Sequence, residues 1–344
     1  MNINNSLLES FDSYQCKVRA ELKEIIDSNS SSLYNMLRYH MGWRDENGNP
    51  CYEKSSKFIR PTLCLLSCQA VGGDIPRILP AAAALELVHN LSLIHDDIQD
   101  DSSERHHRPT VWKLWGQPQA INAGDAMYAL AYSTLLRLRE NSIPDKKVIG
   151  SVQILSAACM ELCEGQFLDI EYESRLDVTI EDYLSMATKK TAALIAASTS
   201  LGAYLGSEDE GVVNSFYLFG KGLGMAYQIR DDILGIWGVE ENVGKSTNDI
   251  SQKKKTLPVV YGLQNSKPAE RKKLEELYSR ESLNGDDVAQ VIEILEQTGA
   301  RDYAQNLAEH YHYQTLAQCD SIGIDTSNLD SLKKLVHFLL ERDY

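Results

Sequence analysis

Apolar residues recur at helical spacing through most of this chain. From Ser6 to Asp27, residues Leu7, Leu8, Phe11, Tyr14, Val18, Leu22, Ile25 and Ile26 fall near one face of a helix. Polar Ser28 to Ser32 breaks the pattern, and Tyr39 to Tyr52, with Gly42, Gly48 and Pro50, reads as a loop. A helix starts at about Pro61, since proline suits a first turn, and stops at Gly72-Gly73. Pro80 starts the next, which runs from Ala81 to Asp100. Further helices are expected over 117–140, 145–174, 180–205, 208–239, 256–264, 268–281, 286–298, 300–320 and 328–342. Pro144, Gly206, Gly238, Pro268 and Asn284-Gly285 punctuate them. No segment alternates with the period of a strand, and no linker is long enough to divide the chain into separate domains. The pattern implies an all-α chain folded as a single domain over 1–344.

Two of these helices end in acid. Leu91-Ser92-Leu93-Ile94 leads into Asp96-Asp97-Ile98-Gln99-Asp100, and Gly224-Met225-Ala226-Tyr227 leads into Gln228-Ile229-Arg230-Asp231-Asp232. Carboxylates one turn apart repel each other, and the C-terminal end of a helix disfavours anions. Bound cations would offset both costs, and carboxylate oxygens are the ligands hard ions such as Mg2+ prefer. On a helical wheel Leu85, His89, Ser92, Asp96 and Asp100 form one stripe, apolar or small at its start and acidic at its end. That is the lining of a pocket with a charged mouth. One acidic cluster alone would read equally well as a solvated helix end; two favour a multi-metal site for an anionic ligand.

Composition narrows the ligand. The 344 residues are 43% hydrophobic, enough for a large core, and the net charge of -15 argues against nucleic acid. Seven cysteines without zinc-type spacing fit a reduced, cytoplasmic protein. Met1 to Ser10 lacks the form of a signal peptide, and no run of 18 apolar residues suggests a membrane span, although a substrate could still be greasy. Cations are local: Lys57 and Arg60 precede a helix, Arg105, His106, His107 and Arg108 follow the first acidic cluster, Lys189, Lys190 and Thr191 lie in a helical run, and Lys245 and Lys253-Lys254-Lys255 follow the second cluster. Singly each is an ordinary surface charge. Their recurrence beside acidic clusters and helix starts suggests two anionic groups, one held through metals and one held directly.

These blocks resemble the trans-isoprenyl diphosphate synthases, the polyprenyl synthetase family. Ser92 to Asp100 looks like the family's first aspartate-rich motif and Gln228 to Asp232 like its second. Gly124-Asp125, Gly165-Gln166-Phe167-Leu168-Asp169, Lys190-Thr191, Gly244-Lys245 and Lys254-Lys255-Thr256-Leu257-Pro258 match further blocks, so the resemblance spans about 57–263. It implies a helical bundle around a central substrate cavity, of the isoprenoid synthase type, usually a homodimer. It implies condensation of an allylic diphosphate with isopentenyl diphosphate, head to tail, with three Mg2+ ions held by the two motifs. By the same match Asp96, Asp97, Asp100, Asp231 and Asp232 would bind metal. Arg105, Lys190 and Lys245 would hold the allylic diphosphate, and Lys57, Arg60 and His89 isopentenyl diphosphate. Gln228 would belong to the second-motif shell, Gln166 and Thr191 would stand near the reacting carbons, and Lys254 would also bind substrate. Without the match, His89 reads as a satisfied core histidine.

The chain departs from the family at two points. Arg105-His106-His107-Arg108-Pro109-Thr110 stands where Arg-Arg-Gly-x-Pro-Thr is common, so His106 replaces an arginine expected on isopentenyl diphosphate. Arg108, or protonated His106, is expected to take over. Gly235 stands where a third aspartate of the second motif is common, which leaves one metal site to Asp231 and water. These losses lend weight to a non-catalytic partner subunit as an alternative. A terpene cyclase is a further one, but no Asn-x-x-x-Ser-x-x-x-Glu motif is present and the Lys57–Arg60 pair would be idle. Before the first motif Leu91, Ser92 and Val88 would form the chain-length wall. With no aromatic there, C20 geranylgeranyl diphosphate is the expected product, with C15 or C25 and longer as alternatives. Ser92→Phe is expected to shorten the product; unchanged product size by mass spectrometry excludes Ser92 from the wall.

Overall fold

The structure is a computed structural model that describes residues 3–51, 57–238 and 249–340. As the apolar pattern implied, it is all-α. In chain order the helices are α1 (Ile3–Asp27), α2 (Ser32–His40), α3 (Ile59–Ala70), α4 (Ile75–Gln99), α5 (Val111–Trp115), α6 (Gln117–Leu136), α7 (Asp145–Glu173), α8 (Ile180–Ala187), α9 (Ala193–Gly206) and α10 (Glu210–Trp237). Then follow α11 (Leu257–Asn265), α12 (Pro268–Tyr278), α13 (Gly285–Gln297), α14 (Ala300–Asp320) and α15 (Thr326–Leu340). The one sheet among the described residues is a hairpin of β1 (Glu104–Arg105) with β2 (Arg108–Pro109). The fold clusters into two compact units, 1–157 with 197–217 and 322–332, and 158–196 with 218–321 and 333–344.

The core helix of the first unit is α4. Ala81 to Val88 are all buried, so its middle has no solvent face, and it packs along α6, α3 and α1. Small residues make this possible, because helix axes approach only as closely as their contact side chains allow. Ala120, Ala123 and Ala131 of α6 are fully buried, and a Cβ on Gly124 would stand 2.1 Å from Nε2 of His95. Between α9 and α3 the approach is closer still: a Cβ on Gly202 would lie 2.0 Å from the carbonyl oxygen of Cys64. The second unit buries Tyr172, Tyr183, Met186, Met225, Ile229, Ile233, Leu257 and Val260 together. A second cluster there gathers Ile236, Val259, Leu263, Leu274, Leu277 and Leu295.

Several boundaries differ from the sequence pattern. α4 starts at Ile75, with Pro76 in its first turn and Pro80 inside it. Pro80 has no N–H for the Pro76 carbonyl, but the loss is a single bond one turn from the helix start. α2 carries no clear sequence signal because nine residues show too little periodicity. It is capped by Ser31 and tied to the end of α1 by Arg38, which donates to Asp27 and to the carbonyls of Ile26 and Asn29. The stretch 180–205 is α8 and α9 joined by a π-helical turn, Thr188–Ala192. Asn284 does not open a turn; it caps α13 in a reciprocal box with Asp287.

Two helices, α4 and α7, hold 18-residue windows long and apolar enough to cross a membrane, although polar residues interrupt both. In α4 72% of that window is buried, as in a core helix, and in α7 33%.

Alanine at 202 should improve helix propensity by about 1 kcal/mol. The contact with Cys64 is to backbone, which cannot swing aside. Gly202→Ala is therefore expected to destabilise the protein by about 1–3 kcal/mol, read from urea unfolding; a gain in stability would contradict this packing.

Candidate active site

In the first unit the acidic end of α4 is closed by the hairpin. Asp97 is buried, and Arg105 on β1 donates to its Oδ1 through Nε at 2.9 Å and Nη2 at 2.8 Å. Burial pushes the Asp97 carboxyl up to about 6, against the pull of Arg105. Its Oδ2 is buried without a hydrogen-bond partner. Asp96 precedes it and Asp100 caps the helix, both partly exposed.

The hairpin turns on His106 and His107, both at positive φ (52° and 59°). A two-residue turn of that handedness matches strand twist but usually takes Asn or Gly. Histidine tolerates the left-handed region better than most residues, so the departures at 106 and 107 fit the turn. The turn is anchored by Thr110 and Trp112, which donate to the carbonyl of Ser102 at 2.9 and 2.8 Å, and by Tyr39, whose hydroxyl donates to the carbonyl of Pro109 at 2.7 Å. Arg108, expected to take over from the missing arginine, lines the pocket beside the hairpin. Its guanidinium donates to the carbonyls of Tyr39 (3.2 Å) and Arg44 (2.9 Å) and stacks 4.1 Å from the Tyr39 ring centre, which also holds the segment after α2. Beside this clamp lies a pocket of about 240 Å3 walled by His40, Asn90, Asp97, Arg105 and His106 among others. His89 is adjacent and held far below its usual pKa by burial and then by the guanidiniums of Arg60 and Arg105. The His89 ring is therefore neutral. Lys57 is exposed, and Arg60 is partly buried in the first turn of α3.

The second unit builds a hydrogen-bonded chain around its own acidic pair. Thr191 Oγ1 donates to Gln228 Oε1 (2.5 Å), and Gln228 Nε2 donates to Asp232 Oδ1 (2.7 Å). The Tyr183 hydroxyl (2.7 Å) and the Leu257 amide (2.8 Å) both donate to Asp232 Oδ2. Asp232 is thus buried with both oxygens hydrogen-bonded, and it ties α8, α10 and α11 together. Burial pushes its carboxyl up to about 7, against those hydrogen bonds. Asp231, partly exposed, is left as the outward acid. Lys190 pairs with Asp169 of α7. Both glycines flanking this turn are needed for close approach: a Cβ on Gly165 would lie 2.1 Å from the Lys190 amide, and one on Gly224 2.5 Å from Cα of Ala192. The π turn lies at Lys189 to Thr191, where such bulges re-aim side chains.

Gly235 has a counterpart. A Cβ there would stand 2.0 Å from Oδ2 of Asp249, so the Asp249 carboxylate fills the place of the missing side chain. The second acidic set is consequently less thin than its local motif implies. Gly244 and Lys245 lie outside the described residues. On α4 Val88 and Leu91 are buried, and Ser92 turns its hydroxyl to the His89 carbonyl at 2.7 Å. Asp249, His40, Asn90, Glu86 and Tyr183 do not stand out in the sequence. Only Asp249 has a local signal, an acid fourteen residues past a motif that lacks one.

The metal expected here fits the donor chemistry. Among the described residues no three His, Cys, Asp or Glu side chains form a ready-made cage. Mg2+ seldom requires one, since it keeps water and takes one or two carboxylates together with substrate phosphates. The open Oδ2 of Asp97, between Asp96 and Asp100, is such a donor.

Acidic helix ends beside guanidinium and imidazole groups, on an all-α fold, define an enzyme that handles anionic substrates. Residues 43–295 match the family described as polyprenyl synthetase. A (2E,6E)-farnesyl diphosphate synthase of Mycobacterium tuberculosis is 37% identical, over 93% of this chain and 89% of its own. A geranylgeranyl diphosphate synthase of the same organism is also 37% identical, over 92% and 89%. The crystal structure of a polyprenyl synthetase from Streptomyces coelicolor superposes with a TM-score of 0.89 at 34% identity, covering 98% of this chain and 99% of that one. The chain belongs to the polyprenyl synthetase family and is a trans-prenyl diphosphate synthase, a transferase of prenyl groups.

The Asp232 carboxyl binds its proton more tightly folded than unfolded, where 3.8 is usual. Its contribution to stability is complete below about pH 4 and is lost as pH rises through about 7, up to about 4 kcal/mol. Urea unfolding of Asp232→Asn at several pH values is expected to show a flatter decline over that window than the native chain. An identical decline would mean that Asp232 is ordinary.

Proposed function

We propose that the protein joins an allylic diphosphate to isopentenyl diphosphate head to tail, assisted by Mg2+, as a homodimer, and that its product is C20 geranylgeranyl diphosphate. The observation that carries this reading is Asp97, a buried carboxylate with one open oxygen, paired to Arg105 beside a pocket walled by His40 and His106. That juxtaposition suits a diphosphate whose charge is met partly by a cation on carboxylate and partly by side-chain donors.

The reaction starts when the bond between the allylic carbon and the diphosphate oxygen breaks and its electron pair leaves with the diphosphate. By the family match, Arg105 and Lys190 would supply fixed positive charge to the growing negative charge. By the same match, Asp96, Asp97, Asp100 and Asp231 would hold Mg2+, which would supply Lewis-acid stabilisation of that charge. The isopentenyl double bond then attacks the allylic carbon, and a proton leaves the new cation. Leu85, Val88 and Leu91, buried along α4, are apolar groups that could not quench a carbocation passing them. Sequence identity does not choose the product, since relatives of both the farnesyl and geranylgeranyl kind are 37% identical. The small Ser92, folded back onto its own helix, supports a tunnel longer than C15 needs. Exposed Ile121 and Tyr128, two turns apart on α6, and Met160 and Phe167, two turns apart on α7, support a dimer, since each pair shares a helix face.

Purified protein incubated with isopentenyl diphosphate, Mg2+ and each allylic diphosphate in turn is expected to release a C20 product, sized by mass spectrometry, and to stop on chelation of the metal. Absence of turnover by the protein alone would instead support a non-catalytic partner subunit.

A further inference from the structure

One residue in the first unit holds a backbone conformation that its side chain disfavours. Phe58, the residue before α3, lies in the left-handed region at φ 50° and ψ 36°. For a bulky side chain that region is an outlier. The other non-glycine residues at positive φ among the described residues are Asp101, His106, His107, Ser142 and Lys253, all polar. Phe58 also lacks the usual form of a helix cap, an extended residue whose side-chain oxygen accepts from the first turn. Backbone strain of this kind persists only where the surroundings over-determine it.

The surroundings do so from two directions. From α3, the Thr62 amide donates to the Phe58 carbonyl at 3.1 Å and the Thr62 hydroxyl at 2.7 Å. From α1, Gln15 Nε2 donates to the Lys57 carbonyl at 3.2 Å, and the guanidinium of Arg19 stands 5.5 Å from the centre of the Phe58 ring. Gln15 and Arg19 are one turn apart, so a single face of α1 holds both Lys57 and Phe58.

The simpler alternative is a phenylalanine that fills the core. Core filling accounts for the ring, which is 3% exposed. It does not account for the left-handed backbone, which an ordinary extended entry to the helix would avoid. Nor does it account for a side chain of α1 bonded to the carbonyl of the exposed Lys57. What the left-handed residue does is turn the chain sharply between Lys57 and Arg60, the two cations on either side of it.

We propose that Phe58 is a positioning residue for Lys57 and Arg60. Its left-handed backbone, locked by Gln15 and Arg19 of α1, fixes the two cations in the arrangement that receives isopentenyl diphosphate. The inference rests on the family match that gives Lys57 and Arg60 to that substrate. Phe58 acts by holding one backbone form, and the apparent affinity falls with the fraction of chains that keep it.

In the full-length protein, Gln15→Ala with Arg19→Ala leaves residue 58 and both cations in place. The KM for isopentenyl diphosphate is expected to rise about threefold to tenfold, the usual effect of losing one hydrogen bond and one cation–ring contact. kcat and the KM for the allylic diphosphate should change far less. Arg19→Lys, which keeps a cation over the ring, should lose less than Arg19→Ala. Phe58→Val should raise the same KM further, because a β-branched residue tolerates left-handed backbone least. No rise in the double variant, or an equal rise for both substrates, would overturn the role of Phe58. A native protein that consumes no isopentenyl diphosphate would overturn the functional reading instead. Calorimetric titration of isopentenyl diphosphate into the native and doubly substituted chains would then decide the role of Phe58: weaker binding by the variant upholds it, and equal binding overturns it.

Discussion

Each acidic helix end in this protein buries one carboxylate where the helix dipole is least favourable to it, and the architecture around both ends follows from satisfying that group. Asp97 is met by the guanidinium of Arg105, which requires the chain to reverse at once after α4. The reversal is the hairpin, and the hairpin in turn fixes Arg108 against Tyr39 and frames the pocket. Asp232 is met by Tyr183, Gln228 and the amide of Leu257, which pins α8, α10 and the start of α11 to one point. In both pairs the neighbouring aspartate, Asp96 or Asp231, is left partly exposed. Each inner carboxylate anchors the elements around it, and Asp97 keeps one oxygen without a hydrogen-bond partner.

This anchoring explains how the chain tolerates its departures from the family. Losing an arginine at 106 places a histidine in a turn that needs positive φ, and the pocket keeps Arg105 on one side and His40 on the other. Losing an acid at 235 leaves a glycine whose vacant side-chain position is occupied by the carboxylate of Asp249. Neither change touches the buried anchors. Close approach elsewhere is obtained through glycine, as at Gly165 and Gly224 around the π turn that presents Lys190 and Thr191.

Much of the fold is legible in the sequence. Helices as long as α1, α4, α7 and α10 announce themselves because a periodic apolar stripe accumulates signal with length. Short elements do not, so α2, α5 and the hairpin leave no trace in the pattern, and Pro80 reads as a helix start because an isolated proline more often opens a helix than sits in its second turn. The acidic clusters and their basic companions are legible as chemistry, since their residue types are unfavourable without a ligand. The hydrogen bonds of Arg108 and Asp232 are not legible in the sequence, because a side chain's partners, a carbonyl at Tyr39 or an amide at Leu257, lie far along the chain.

The sequence by itself determined the all-α class, the positions of both aspartate pairs and the family, because periodicity and ordered motifs are local properties of the chain. Tertiary structure alone decided which carboxylate of each pair is buried and which is partly exposed, that the Asp249 carboxylate fills the place of the side chain missing at 235, and that His40, Asn90, Asp97 and Arg105 line one pocket. Those outcomes depend on burial and on contacts between distant segments, which set the protonation and the free lone pairs of a side chain and leave no mark in its immediate neighbours.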